Sequence, residues 1–261
     1  MRRLAIFGNP VSHSLSPEIH ALFAKQFNLM INYEKILVPI NNLDSLDNFK
    51  ETVNLFREQN GFGANITAPF KVHAFNYADQ LTERAKSAGA VNTFIFKNNM
   101  CIGDNTDGAG FIKDLKKKFG DIKNKNILIL GAGGAARGIL NSIISENPKN
   151  IFIKNRSEDN AKKLINLFAI QKFSSAHSVD LIINTTSADF NSLKNLIAES
   201  NCFLYDLNYG EKHQAVLQLN IPCCDGSGML IEQAAESFFQ WFHKMPDITV
   251  PGLLSCLQDR Q

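Results

Sequence analysis

A chain of 261 residues that is 44% hydrophobic and 20% charged has a globular makeup and length for about two domains, which excludes a disordered protein. Lys+Arg 27 against Asp+Glu 25 leaves a net charge of +2, without the basic excess of a nucleic-acid or membrane-surface protein. No apolar run approaches the roughly 18 residues of a membrane span. The stretch Met1–Gly8 is too short for a signal peptide and turns polar at Asn9. Five cysteines, at 101, 202, 223, 224 and 256, are odd in number and lack a C-x-x-C pair. That pattern points to free thiols in the cytoplasm rather than to a disulfide framework or a metal cage.

In chain order, Leu4–Phe7 reads as a strand, Pro17–Phe27 as a helix, Tyr33–Val38 as a strand and Leu43–Glu58 as a helix. Gly63–Ile66 follows as a strand, Pro69–Asn76 as a helix and Ala90–Phe96 as a strand. This alternation predicts an α/β domain on a largely parallel sheet. The turn-rich segment Gly103–Gly108 marks a boundary, and the lysines at 113, 116, 117 and 118, interleaved with Asp114 and Asp121, form a solvated helix face. Beyond Asn124 the alternation restarts with strand Ile127–Leu130, helix Ala135–Ser145, strand Ile151–Lys154 and helix Glu158–Phe168. Strands Leu181–Asn184 and Phe203–Asp206 come next, Cys223-Cys224 reads as a buried strand end, and a long helix, Met229–Phe242, is expected to pack back on the first domain. The expected domains are 1–104 completed by 229–261, and 105–228.

The sharpest local signal is Gly131-Ala132-Gly133-Gly134-Ala135-Ala136-Arg137, placed between a buried-strand run and a helix start. In this G-x-G-x-x-A form, Gly131 serves the tight turn, Gly133 admits a pyrophosphate, and Ala136 lets helix and strand approach closely. Backbone N–H groups at the helix start then face the anion. Nicotinamide sites that hold a free ribose 2′-hydroxyl place a carboxylate at the end of the next strand. Here that strand ends in Asn155-Arg156-Ser157. Arg156 suits a 2′-phosphate through a planar fork, Ser157 offers a hydroxyl, and NADP is the expected cofactor. Arg156 also reads as a surface arginine beside a helix cap, and Glu158 stands close by.

Three clusters in the first domain are more polar than their positions require. In Ser12-His13-Ser14-Leu15-Ser16-Pro17, Ser16 is an N-cap with proline at the first helical position, while Ser14 has no capping duty. Two hydroxyls beside a helix N-terminus suit a carboxylate ligand. His13 and His20 do not share a helix face, which argues against metal. In Asn65-Ile66-Thr67-Ala68-Pro69-Phe70-Lys71, Pro69 at the first helical position puts Lys71 in the first turn, at the wrong end of the dipole for a cation. Such rule-breaking points to proton transfer, the alternative being a lysine that snorkels to water. Asp107 before Gly108 is an ordinary N-cap and also a carboxylate able to hold Lys71 in position.

Seven stretches in order resemble the shikimate dehydrogenase family over nearly the whole chain. They are Phe7–Pro10 running through Ser14–Pro17 with His20, Asn65–Lys71, Gly89–Thr93, Asn105–Gly108, Gly131–Arg137, Asn155–Ser157, and Gly228–Leu230 with Gln233. The resemblance implies two α/β domains: an N-terminal substrate-binding domain and a Rossmann-like NADP-binding domain, with a cleft active site and the C-terminal helix returning to the first. It also implies reversible NADPH-dependent reduction of 3-dehydroshikimate to shikimate, a step of aromatic amino-acid biosynthesis, by a cytoplasmic monomer or homodimer. Lys71 is implied as the acid/base paired with Asp107, and Ser14 and Ser16 as ligands of the substrate carboxylate. Thr67, Asn92, Asp107 and Gln233 would bind the ring hydroxyls, with Tyr209 on the substrate side. The cofactor would rest on Gly131, Ala132, Gly133, Gly134, Ala135, Asn155, Arg156, Ser157 and Gly228. By its own spacing, Gln233 also reads as the border of the apolar face Leu230, Ala234, Phe238 and Trp241.

The chain departs from the family in places. Ala68 stands where valine or leucine is common, Asn184–Phe190 lacks a Gly-Met pair, and Gly210-Glu211 follows Tyr209 in place of Tyr-x-Pro. Asn160 replaces a frequent basic residue near the 2′-phosphate. Two rival readings are a broader quinate/shikimate dehydrogenase using NAD or NADP, and a non-catalytic NADPH-binding sensor.

Overall fold

The computed structural model describes residues 1–40, 45–186, 202–218, 221–250 and 253. Leu43 and Asp44 of the second expected helix, Ser187–Phe190 and Cys256 lie outside the described residues. Among the described residues, one compact unit takes 1–107 with 231–250 and Leu253, and the other takes 108–230.

The first unit carries β1 (Arg2–Gly8), α1 (Ser16–Gln26), β2 (Ile31–Leu37), α2 (Ser45–Glu58), β3 (Gly61–Ile66) and α3 (Lys71–Tyr77). It continues with β4 (Gln80–Leu81), α4 (Glu83–Ala88), β5 (Thr93–Lys97) and β6 (Met100–Asp104). The strands make one six-stranded sheet in the order β2-β1-β3-β5-β6-β4. The sheet is largely parallel, as expected: β1 pairs parallel with β2 and β3, and β4 with β6, while β5 alone runs antiparallel to its neighbours β3 and β6. The cause is local. Asn98 and Asn99 both adopt positive φ, 52° and 60°, the backbone of a two-residue turn that joins β5 to β6 as a hairpin. Gly103 and Asp104, read from sequence as turn, are therefore the end of β6. Helix α4 was also passed over, although Thr82 Oγ1 accepts the Ala85 N–H at 3.3 Å and Gly89 closes it in the left-handed region.

Phe7, Phe49, Phe56, Phe70 and Phe94 fill the core of this unit, with Phe49 and Phe70 stacked at 5.3 Å. The helix Ser227–Phe242 lays its later turns on the other side of the sheet, as expected. Trp241 Nε1 donates to the Phe94 carbonyl at 2.9 Å, and Phe238 packs on Phe23 and Phe27. Asp104, fully buried, takes a forked pair of bonds from Arg84 (2.7 and 2.5 Å), which also reaches Glu236 on that helix at 3.1 Å.

The second unit follows with α5 (Asp107–Lys118, its first residue counted in the first unit), β7 (Asn126–Leu130), α6 (Gly134–Ser145), β8 (Asn150–Lys154) and α7 (Glu158–Phe168). With the short helices Gly210–His213 and Gln214–Leu217 come the strands β9 (Gln171–Lys172), β10 (Leu181–Asn184), β11 (Phe203–Asp206) and β12 (Cys223–Cys224). All pair parallel, in the order β12-β11-β10-β7-β8-β9. Counted from β7 as first, this is the 3-2-1-4-5-6 order of a dinucleotide-binding sheet. Isoleucines 127, 129, 151, 153 and 183 cover one face, and Leu128, Leu130, Phe152, Ile182 and Leu204 the other, so the strands read as unbroken apolar runs. β12 is half-buried rather than buried, because it lies at the sheet edge beside β11 alone. The four described cysteines are free. No described helix is long and apolar enough to cross a membrane.

His20 is fully buried against Tyr33 (5.0 Å, stacked) and Trp241 (5.1 Å), and burial pushes its pKa down to about 3. The unfolded chain takes up this proton below about 6.5 and the folded one only near 3, so stability is lost as pH falls through that window. Replacing His20 with Leu should flatten the loss by about 1.4 kcal/mol per pH unit there. Urea unfolding at stepped pH checks this; an unchanged slope would refute the neutral, buried imidazole.

Candidate active site

Lys71 is the first residue of α3, with Phe70 at the cap position. Pro69, expected at the first helical position, lies instead in the turn before it. Thr67 carbonyl accepts the Phe70 N–H at 3.0 Å, and the buried Phe70 ring anchors that turn in the core, which delays the helix by two residues. Lys71 still falls in the first turn. Its Nζ meets Asp107 Oδ2 at 2.6 Å, with the aspartate side chain buried. Asp107 is not the N-cap of α5 but its first residue. Asn105 Oδ1 accepts the Asp107 N–H at 3.1 Å, which leaves the Asp107 carboxylate for Lys71 and Asn92.

Asn92 sits just before β5. Its Nδ2 donates to Asp107 Oδ1 and to Thr106 Oγ1, both at 2.8 Å, and lies 3.4 Å from Gln233 Oε1. Its Oδ1 accepts from the Thr106 N–H at 2.9 Å and from Thr93 Oγ1 at 2.8 Å. Lys71, Asp107, Asn92 and Gln233 are thus one hydrogen-bonded group.

Ser14 and Ser16 form a second pair, Oγ to Oγ at 3.2 Å. Two expectations are corrected. Ser16 is the first residue of α1, not its N-cap, and Ser14 does carry a capping duty: its Oγ accepts the Ser16 N–H at 3.3 Å. The reason is that Leu15 occupies the cap position with its side chain buried in the core, and a leucine has no acceptor to offer. The Ser16 hydroxyl is freed for other partners. Nearby, burial raises the pKa of the Tyr33 phenol. Tyr33 donates to Asn65 Oδ1 at 2.7 Å, and Asn65 Nδ2 donates to Ser237 Oγ at 3.0 Å. Tyr33 and Ser237 escaped the sequence reading. Ser237 could have been noticed, because it repeats the polar Gln233 one turn on, beside the apolar Ala234 and Phe238. Thr67 follows β3 with its methyl group against the Gly8 backbone, a contact that leaves no space for a side chain at position 8.

In the second unit the residues predicted to bind cofactor gather at the carboxyl edge of the parallel strands, where such sheets bind ligands. Gly131 has φ +106°, and its N–H donates to the Lys154 carbonyl at 2.9 Å. A Cβ there would lie 2.5 Å from Thr185 Oγ1. Gly133 caps α6 in extended geometry, and the space its missing side chain would take is open. Ala136 is fully buried against the sheet. Ala132, Gly134 and Ala135 complete the turn and the helix start, whose N–H groups have no intrahelical acceptor. The cradle therefore fits a pyrophosphate.

After β8, Asn155 Nδ2 donates to the Ser157 carbonyl at 2.8 Å, and Ser157 Oγ caps α7 on Asn160. Arg156 is exposed and forms no ion pair among the described residues, while Glu158 is tied to Lys172 at 2.8 Å. Arg156 is thus a cation open to an anion at this strand end. Gly228 lies so close to the Asp114 carboxylate that a Cβ would collide with it, a packing duty apart from any ligand. Tyr209 is partly buried beyond the end of β11, and burial raises its phenol pKa. Among the described residues no group of His, Cys, Asp and Glu could hold a metal.

Three family descriptions match the chain. "Shikimate dehydrogenase substrate binding domain" covers residues 6–94, "Shikimate / quinate 5-dehydrogenase" 113–202, and "Shikimate 5'-dehydrogenase C-terminal domain" 226–250. The shikimate dehydrogenase (NADP(+)) of Nitrosospira multiformis is 43% identical over 91% of this chain and 90% of its own. That of Vesicomyosocius okutanii is 43% identical over 95% and 96%. Among solved structures, shikimate 5-dehydrogenase from Thermus thermophilus in complex with NADP(H) and shikimate has a TM-score of 0.83 at 26% identity, covering all of both chains. An Ael1 enzyme from Pseudomonas putida scores 0.83 at 33% identity over 100% and 98%. With 43% identity over nine-tenths of its length, the chain belongs to the shikimate dehydrogenase family.

Proposed function

We propose that this protein is an NADP-dependent shikimate dehydrogenase, which reduces 3-dehydroshikimate to shikimate and runs the reverse step. The observation that carries the reading is the 2.6 Å pair of Lys71 and Asp107, set in the hydrogen-bonded group around Asn92. Bound NADPH supplies the hydride for the ring carbonyl. Lys71 Nζ gives a proton to the carbonyl oxygen in reduction and takes it from the hydroxyl in oxidation. Asp107 holds the ammonium on target, and Asn92 fixes the other aspartate oxygen. Ser14 and Ser16 bind the carboxylate; Thr67, Asn92, Asp107 and Gln233 orient the ring hydroxyls, and Tyr209 closes the substrate side. The Gly131–Ala135 turn holds the pyrophosphate, Asn155, Arg156 and Ser157 hold the adenosine end, and Gly228 lines the cofactor. Residues 1–104 with 229–261 then serve as the substrate domain and 105–228 as the NADP domain. The proposal includes a cytoplasmic setting, in keeping with the free thiols, and a monomer or homodimer.

Absorbance at the nicotinamide band should rise with shikimate and NADP, and far less with quinate or with NAD. Equal rates with quinate and NAD would make it the broader dehydrogenase; NADPH binding without turnover would make it a sensor. Lys71→Met should lower kcat by about 10²- to 10⁴-fold with little change in shikimate KM. An intact kcat would remove Lys71 from the proton transfer.

Arg156→Ala should weaken binding of 2′-phosphorylated adenosine by about 10- to 100-fold, the loss of a charge-assisted fork. Calorimetry with 2′,5′-ADP against 5′-ADP reads this directly. The 5′-ADP affinity should hold; a parallel loss of both would show that Arg156 does not read the 2′-phosphate.

A further inference from the structure

We infer that Ser237 is a positioning residue for the reaction: its hydroxyl closes a ring of hydrogen bonds that fixes the Asn92 carboxamide with its N–H toward Asp107. The inference rests on the functional reading above for its kinetic consequence, and on the hydrogen-bond geometry alone for the ring.

The direction of each bond follows from what its donor allows. The backbone N–H of Thr106 can only donate, and it meets Asn92 Oδ1 at 2.9 Å, so the oxygen end of this amide is assigned by a group with no choice. Asn92 Nδ2 then donates to Thr106 Oγ1 at 2.8 Å. Having accepted there, the Thr106 hydroxyl sends its own proton to Ser237 Oγ at 3.1 Å. The competing acceptor, Asn92 Oδ1 at 3.2 Å, already takes two protons.

Ser237 Oγ also accepts from Asn65 Nδ2 at 3.0 Å, which fills its two lone pairs. Its one proton is left for Thr93 Oγ1 at 2.8 Å, closer than the Gln233 carbonyl at 3.1 Å. Thr93 donates to Asn92 Oδ1 at 2.8 Å, and the ring closes with every proton running the same way. Asn92, Thr93, Thr106 and Ser237 are all buried, so each bond works in a low dielectric and polarises the next.

Ser237 faces a helix side where Ala234 and Phe238 are buried and apolar, and packing there makes no use of a hydroxyl. Remove it, and the Thr106 hydroxyl loses its acceptor and turns its proton to Asn92 Oδ1, while the Thr93 hydroxyl loses its donor. The carboxamide keeps its bonds to the Thr106 N–H and to Asp107, but its oxygen is crowded with a third proton and its bond to Thr106 Oγ1 is no longer reinforced by the next one in the ring. The N–H that sets Asp107 Oδ1, and through it the oxygen facing Lys71, is then less firmly placed.

The test uses the full chain with shikimate and NADP. Ser237→Ala and Thr93→Val should each lower kcat about five- to tenfold, with the NADP KM unchanged. The double variant should be no slower than either single one, because a ring is broken once. Thr93→Ser keeps the hydroxyl and should keep the rate. In nitrogen-labelled protein, the Asn92 side-chain N–H signals should exchange slowly with solvent in the parent and faster in Ser237→Ala. A parent rate in Ser237→Ala, or single losses that multiply in the double variant, would overturn the proposal, as would an unchanged Asn92 exchange rate. If Ser237→Ala fails to fold, Thr93→Val and Thr93→Ser carry the comparison. A parent protein inert toward shikimate sinks the functional reading alone, since the exchange measurement still decides the ring.

Discussion

A lysine at the first position of a helix sits against the positive end of the dipole, and Asp107 is what holds Lys71 there. That requirement organises the first unit. The aspartate must be buried close to the lysine, its second oxygen must be satisfied, and the group that satisfies it must itself be fixed. Asn92 meets the second demand; Thr93, Thr106 and Ser237 meet the third. The sheet makes this possible through its antiparallel portion. Asn65 faces Thr93 across the β3–β5 pair, and Thr93 faces Asp104 across β5–β6. One row across three strands therefore delivers Asn65, the Asn92–Thr93 pair and the Asn105–Asp107 segment to one place. Joined in parallel, β5 and β6 would have carried Asn92 and Asp107 to opposite ends.

The second unit solves a different problem with a uniform device. Six parallel strands put every carboxyl end on one edge, so the Gly131 turn, the Asn155–Ser157 stretch, Thr185 and Tyr209 share that edge, with Thr185 Oγ1 bonded to the Leu130 carbonyl and Asn184 and Asn208 both donating to Asp206. Local chemistry then suffices. A glycine at φ +106° turns the chain, the space beside Gly133 is open, and Glu158, next to Arg156 in sequence, pairs with Lys172.

This contrast explains what the sequence disclosed. Much of the second unit was legible: Glu158–Phe168, Leu181–Asn184 and Phe203–Asp206 have the bounds read from the pattern, while the two-residue β9 and the short helices within Gly210–Leu217 are too brief to carry a period. Buried parallel strands are continuous apolar runs, and helices between them carry a clean period, so local signals and the fold agree. In the first unit the antiparallel hairpin was missed, because Asn98-Asn99 is a weaker mark than Asn-Gly and β6 carries Gly103 and Asp104 inside what looks like a loop. The individual site residues stood out because they break local rules or fill motif positions. Their partners did not. Tyr33 looks like any strand aromatic, and Ser237 like a small residue on a helix, until register brings them to Asn65.

The helix bounds missed by one or two residues carry a physical lesson too. Both Ser16 and Pro69 were read as start signals by propensity, and in both cases a buried apolar neighbour, Leu15 or Phe70, took the cap position instead. Burying a large side chain is worth roughly 1.5–3 kcal/mol, against about 1 for a cap. Packing therefore decides where these helices begin, and at α1 it frees the Ser16 hydroxyl from the capping duty that propensity alone would assign it. At Ser16 that leaves a hydroxyl partnered by Ser14, while Tyr33 leads through Asn65 and Ser237 to the group around Asn92. The Asn92 end of the candidate substrate site is thus held by one polar chain, preorganised because nearly every member is satisfied before any ligand arrives.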